Sequence, residues 1–261
     1  MNEEILLAIL KDSLKLARTE FKDKLNMKTK NLTKLDIASM GLLAKSTKTV
    51  DAIICLTNKN EGFGEDALTL TRTLYENLVS IKYIYEQDSE KRAELYWGYG
   101  SLDRYNGLLK MKKQGINKEA VEKFLAEMNY EELSNIKKTR DSEKEKLRRK
   151  EGFKESSWSY LTIKQMSNEI KHISHYERTY KSLSQIVHAH PSSILAYMHF
   201  INNKVEFNDL PNNNSRADAL DLSLEYYLVL LGVINERYSL GVSAELEKIV
   251  QIVYKTSAVT D

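Results

Sequence analysis

Little that breaks or staples a protein chain is present here. Two prolines stand among 261 residues, Pro191 and Pro211. A proline ring removes a backbone donor and collides with the preceding helical turn, so their positions leave the first 190 residues free to be continuous helix. The single cysteine, Cys55, excludes an intrachain disulfide and fits a reducing compartment. It lies in the apolar stretch "VDAIICL", where a buried, inert thiol is expected rather than a nucleophile. No apolar run approaches the roughly 20 residues that a membrane span needs, and "MNEEILLAIL" opens with acids where a secretory signal carries bases. A cytoplasmic chain without a membrane partner is expected. Gly-rich phosphate loops, a nucleophile elbow and zinc-type cysteine pairs are also missing, which removes most familiar enzyme classes.

What is there is ordinary globular material, 42% apolar and 29% charged, enough to bury a core without staples. Apolar residues recur every three or four positions through most of the chain. The pattern predicts helices over 3–25, Leu32 to Asn58 and Glu65 to Tyr85, then "RAELYWGYGSLDRYNGLLKMKKQ" ended by Gly115, a short helix capped by Asn117, and a charged one over 130–150. After the connection "EGFKESS", the best candidate for a mobile segment, come "WSYLTIKQMSNEIKH", a helix over 176–190, a segment from Ser192, and two helices capped by Ser215 and Ser243. The expected fold class is all-α: one multi-helix bundle over 1–261, with 118–157 as a charged helical excursion within it.

Net charge is only +2, but it is unevenly spread. Residues 110–154 hold 14 Lys/Arg against 9 Asp/Glu, and residues 1–48 hold 10 against 6. Two basic zones on a nearly neutral chain suit a polyanion such as RNA. Equally, "KKTRDSEKEKLRRKEGFK" reads as a solvated helix whose acids and bases pair at helical spacing.

The residues that carry chemistry lie in two helices. On a helical wheel, Arg72, Glu76 and Tyr83 line the border of the arc formed by Leu70, Leu74, Leu78, Val79 and Ile81. In "YKSLSQIVHAHPSS", Tyr176, Tyr180, Leu183, Ile186 and Val187 form the apolar arc, and Glu177, Ser184 and His188 the adjoining stripe. If the two stripes meet, Arg72, Glu76, Tyr180, Ser184 and His188 converge as a candidate catalytic set. The plainer reading makes Arg72 and Glu76 an ordinary ion pair four apart and His188 and His190 cations at a helix C-terminus.

All five histidines, His172, His175, His188, His190 and His199, fall within 28 residues, and Glu169 to His172 has the Glu-x-x-His step of di-metal bundles. A second such motif is missing, and His172-x-x-His175 has no third ligand at a diagnostic spacing, so neither metal nor cofactor is expected. The helix "LDLSLEYYLVLLGVI" is apolar around its circumference, from Leu220 to Ile234, and must be either central to the bundle or completed by a second copy.

With Arg72-x-x-x-Glu76 in "GFGEDALTLTRTLYENLVSIKYI", and later Trp158 and "YKSLSQIVHAHPSS", the chain resembles an uncharacterised, mainly bacterial group, domain-of-unknown-function family five-six-seven-seven, over roughly 35–200. That resemblance implies an all-helical fold related to HEPN-like domains, many of which are RNA-cleaving toxins or act in phage defence. It implies metal-independent ribonuclease activity, a homodimer and a protein partner such as an antitoxin. HEPN ribonucleases place an Arg within two helical turns before a His, whereas Arg178 stands ten before His188. Arg72 must then supply the cation from another helix, with His188 as general acid or base and Glu76 orienting one of them. The competing reading is a non-catalytic helical module that binds a protein or nucleotide and uses the same residues as a buried polar network.

Overall fold

The side chain of Asn2 accepts a hydrogen bond from the Glu4 amide, and Glu3 and Glu4 sit in the first turn of helix. Both features stabilise the positive end of a helix, and α1 starts here. The structure, a computed structural model, describes residues 2–28, 32–58, 63–188, 191, 198–201, 204–207 and 215–257; His190, Pro211 and the start of the segment at Ser192 lie outside them. In chain order, α1 (Glu3–Leu16) passes through a π-helical turn (Ala17–Phe21) into α2 (Lys22–Lys28). A capping box between Thr33 and Asp36 starts α3 (Lys34–Thr57), and α4 (Gly64–Glu86) and α5 (Ser89–Lys113) come after it. Next come α6 (Lys118–Ala126), α7 (Tyr130–Leu147), α8 (Ile163–Glu169) and α9 (Ile173–His175). A second π turn (Tyr176–Tyr180) leads into α10 (Lys181–Val187). An antiparallel hairpin, β1 (Met198–Ile201) with β2 (Lys204–Phe207), precedes α11 (Arg216–Tyr238) and α12 (Ser243–Ser257).

The fold is all-α, and α11 is its axis. Leu220, Leu224, Tyr226, Tyr227, Leu230, Leu231 and Ile234 are buried against α4, α1 and α3. Two hydroxyl contacts, Thr71 to Ser223 at 2.8 Å and Thr47 to Tyr227 at 3.0 Å, satisfy polar atoms inside that core. The all-round apolarity of this helix is thus met within the chain over most of its length. Leu222, Leu228 and Val229 remain half-buried. No helix among the described residues is long and apolar enough to cross a membrane.

The α6–α7 excursion folds back along α5. Gly98 is needed there, because a Cβ on it would stand 2.5 Å from Ile136. Lys34 reaches Glu132 at 2.7 Å and Lys91 reaches Glu143 at 2.5 Å. Within the highly charged helix, Arg140 is buried: its guanidinium donates to the carbonyls of Trp158 and Ser157 at 2.9 and 3.3 Å and lies over the Tyr160 ring. The 151–157 connection is tied down rather than loose. Lys154 donates to the Tyr160 carbonyl at 2.8 Å, Tyr99 donates to Ser156, and the Phe153 ring stacks on Tyr160. Composition suggested mobility there, but tertiary hydrogen bonds decided otherwise.

Other expectations are corrected as well. Cys55 is exposed, because it falls on the outer face of α3 while Ile53 and Ile54 turn inward. Asn117 and Ser215 occupy N-cap positions, but in the left-handed region at φ 45° and 66°, without a side-chain cap bond. Ser243 is the first residue of α12, and its hydroxyl accepts from Asn235 at 3.0 Å. The β1–β2 hairpin was not foreseen from the sequence.

Candidate functional site

The wall of the site is built by α4. Thr71 and Tyr75 face inward, and Tyr75 is fully buried between the rings of Tyr180 and Tyr226, with centroids at 5.2 and 5.1 Å. Its hydroxyl pairs with Ser167 at 3.0 Å. With the inward face pinned in this way, Arg72 and Glu76, one turn apart, are held at the border, with side chains 16% and 35% exposed.

The second wall comes from the π turn Tyr176–Tyr180. A π turn takes in an extra residue and re-aims the side chains beyond it. Thr179 bonds the His175 carbonyl at 2.7 Å and Tyr226 at 2.6 Å, which fixes the turn on α11. Tyr180 is left 6% exposed, its ring close to Tyr176 at 5.1 Å. Val187, expected on the apolar arc, is 39% exposed at the last turn of α10.

Four of the predicted residues meet. The Tyr180 hydroxyl donates to Glu76 Oε1 at 2.7 Å and accepts from Arg72 Nε and Nη2 at 3.3 and 3.2 Å. Arg72 Nε also donates to Glu76 Oε1 at 3.1 Å, and the guanidinium lies 5.2 Å from the Tyr180 ring centroid. On its far side, Arg72 Nη1 is 3.3 Å from Nε2 of His188, the exposed residue that ends α10. A guanidinium can only donate, so this contact requires an imidazole with its lone pair on Nε2 and its proton on Nδ1. Burial, with the Glu76 carboxylate as the next cause, pushes the Tyr180 hydroxyl well above its ordinary pKa, with Arg72 opposing. Tyr180 therefore stays a neutral donor to Glu76.

Ser184 lies half-buried one turn before His188 and accepts its amide at 3.1 Å. Its hydroxyl is not bonded to the other four. Tyr83, the third border residue of α4, is buried elsewhere, under Arg92. Tyr75, Thr179 and Tyr226 complete the site and were not singled out from sequence. The signal for them was the crowd of tyrosines in helices already marked as core.

A second polar cluster lies beyond Tyr75, which also donates to the His172 carbonyl at 3.4 Å. Lys82 Nζ is 2.7 Å from His172 Nε2, and the His172 and His175 rings stack at 5.2 Å. His175 Nδ1 stands 3.3 Å from Glu225. Burial, then Lys82, then His175 lowers the His172 pKa to about 4. Burial also lowers that of Lys82. Glu169, the acid of the Glu-x-x-His step, is engaged by Lys150 and Arg92 instead. Among the described residues, no group of three or more potential ligands is placed to hold a metal ion.

Many cations of the two basic zones are paired. Arg18 meets Asp51, Lys112 meets Glu122, Lys144 meets Glu155 and Arg148 meets Glu145. Exposed pairs of this kind contribute about 0–1 kcal/mol each and leave the cations available to other anions.

A sequence model described as "Family of unknown function (DUF5677)" matches residues 36–206. The chain belongs to this family. The DUF5677 match takes in Arg72, Glu76, Tyr180, Ser184 and His188, together with α4 and α10 that carry them. The α1 segment and the axial helix α11 lie outside it. No curated protein and no solved structure matches the chain.

Proposed function

We propose that this DUF5677 protein is a HEPN-like ribonuclease that cleaves RNA without a metal, acting as a toxin or in phage defence. The observation that carries the reading is the contact of Arg72 Nη1 with His188 Nε2 at 3.3 Å. An arginine and a histidine from two helices stand side by side, although no single helix of the chain has the spacing to supply both. In the proposed reaction an RNA phosphate takes up the Arg72 guanidinium, which releases Nε2 of His188 as a base. Nε2 removes the ribose 2′-OH proton and the 2′-oxygen attacks phosphorus. Arg72 stabilises the charge that develops on the phosphorane, and the 5′-oxygen leaves with a proton returned by the imidazolium. The products are a 2′,3′-cyclic phosphate and a 5′-hydroxyl, so the protons balance and no cofactor is required. Glu76 and Tyr180 position Arg72. The unevenly charged surface supports an RNA partner, and a homodimer would present each basic zone twice. An antitoxin-like protein partner belongs to the same reading.

One observation favours a different class, a non-catalytic binding module: Tyr180 is almost sealed, and most of the Arg72 hydrogen bonds stay on Glu76 and Tyr180 as in a structural network. Expressing wild type and His188→Ala side by side, with growth and total RNA integrity as readouts, separates the two. Growth arrest and RNA loss confined to wild type support the ribonuclease. Intact RNA and equal growth favour the module.

A further inference from the structure

Outside the Arg72 network, α5 and α6 form a hairpin whose cations have few acids to pair with. Gly115, at φ 70°, turns the chain, the Ile116 amide closes α5 by donating to the Met111 carbonyl at 3.0 Å, and Lys112 joins the two helices through Glu122 at 3.3 Å. Val121 and Leu125 are buried, which holds α6 in place. Between Arg104 and Phe124 six cations stand against two acids, Glu119 and Glu122, and a surplus remains when the flanking Asp103 and Glu127 are added. Lys112 takes Glu122. Arg104, Lys110, Lys113, Lys118 and Lys123 are exposed and form no ion pair among the described residues. Further along the second basic zone, by contrast, Lys144, Lys146, Arg148 and Lys150 each have a carboxylate partner and Arg140 is buried. Exposed rings lie among the free cations. Phe124 is 45% exposed with the Arg104 guanidinium 5.5 Å from its centroid, and Tyr130 is exposed with its ring edge-on to Tyr105 at 6.0 Å. The Tyr130 hydroxyl donates to the Leu125 carbonyl at 2.9 Å, which fixes that ring beside the end of α6.

We propose that the α5–α6 hairpin is a docking surface for single-stranded RNA, with its free cations on the phosphates and Phe124 and Tyr130 stacked on unpaired bases. Positive charge interleaved with exposed aromatic rings is what single-strand binding uses, because every base presents a π face. A duplex hides those faces. The centre of a protein–protein interface is depleted in lysine, whereas five lysines crowd this hairpin. The choice of RNA over DNA rests on the ribonuclease reading; the docking chemistry does not.

In the test the full chain is titrated into a short fluorescent 2′-O-methyl RNA, which can dock but lacks the hydroxyl that cleavage needs, and anisotropy is followed across a salt series. DNA of the same sequence, single-stranded and duplex, is titrated in parallel. The expected result is saturable binding whose affinity falls with salt by a log–log slope of about 0.7 per phosphate contact. Phe124→Ala should weaken it about 5- to 100-fold at unchanged slope, and the double variant Lys110→Gln, Lys113→Gln should reduce the slope by about 1.4. All three positions are exposed, so the melting midpoints should hold and the losses report on binding. Equal affinity for single-stranded DNA supports docking through phosphates and bases alone, and tighter RNA binding supports recognition of the sugar as well. A wild type that binds here but leaves unmodified RNA intact sinks the ribonuclease reading and leaves this surface standing. Duplex bound as tightly as single strand, binding unchanged by both variants, or no saturation overturns the proposal. So does an oligomer, seen by light scattering, that Phe124→Ala breaks while no RNA binds, because the surface then faces a second copy.

Discussion

Arg72 and Arg216 are both half-hidden arginines that tie helices together, and they end on different kinds of partner. Arg216, with a side chain 10% exposed, donates to the Thr57 carbonyl at 2.8 Å, to Glu3 at 2.8 Å and to Glu4 at 2.9 Å. It joins the start of α11, the end of α3 and the first turn of α1, and every one of these contacts is to an oxygen that only accepts. Arg72 has Glu76 and Tyr180 behind it but meets an exposed imidazole in front. The same kind of group thus serves as a clamp in one place and, in the other, borders the imidazole nitrogen that the proposed function uses for proton transfer. What the arginine leans on, more than its burial, separates the two regions.

The sharpest way to break that comparison is to remove each arginine in turn. Arg72→Ala should lower RNA cleavage by about 10²–10³-fold, the scale of losing one donor to a transition-state oxyanion. It should also cost about 1–3 kcal/mol of stability by leaving the partly desolvated Glu76 carboxylate with the Tyr180 hydroxyl but without its cation, read in a denaturant melt. Arg216→Ala should cost about 2 kcal/mol, less than a fully buried pair because Glu4 is exposed, and should leave the cleavage rate per folded molecule unchanged. Equal effects of both variants on cleavage would erase the distinction.

Smaller changes probe the supports. Tyr180→Phe removes one hydroxyl and should cost about 1 kcal/mol, with a modest fall in cleavage as Arg72 loses one of its props. The Lys82–His172 pair makes a pH prediction. The His172 pKa is about 4 in the folded chain against an ordinary 6.5, so between those values the unfolded chain binds the extra proton. Its contribution to stability is complete above about pH 6.5 and is lost as pH falls toward 4. Melting midpoints of wild type and His172→Gln across that window should converge on the acid side.

Much of this molecule was legible before the structure. The helical class came from the confinement of proline and from three- and four-residue periodicity. Both Arg72 and Glu76 were placed on the border of α4 because a regular helix keeps its phase. The regular phase is broken at Tyr176–Tyr180, where a π turn inserts a residue, while Val187 is exposed at the helix end and the Ser184 hydroxyl stays outside the hydrogen-bonded group. Single-sequence periodicity carries no mark of such a turn, since its stability comes from Thr179 meeting Tyr226 on a distant helix. The burial of Arg140 and the anchoring of Ser156 were hidden for the same reason: they depend on partners distant in sequence, the Trp158 and Ser157 carbonyls for Arg140 and the Tyr99 hydroxyl for Ser156. Local capping rules also misled at Asn117 and Ser215, where the backbone adopts the left-handed region and the side chain has no amide to accept from.

The account rests on His188 as a chemical group rather than a helix end, and cleavage of a short single-stranded RNA in the presence of a chelator tests this most directly. Wild type and His188→Ala are compared at equal folded fraction, with product termini identified. Because His188 is exposed and touches the network only through Arg72, its removal should leave the melting midpoint nearly unchanged. The account predicts 2′,3′-cyclic phosphate products from wild type and a loss of about 10²–10⁴-fold in His188→Ala, the usual contribution of a general acid or base. Cleavage at the same rate by both proteins, or by neither, would contradict it.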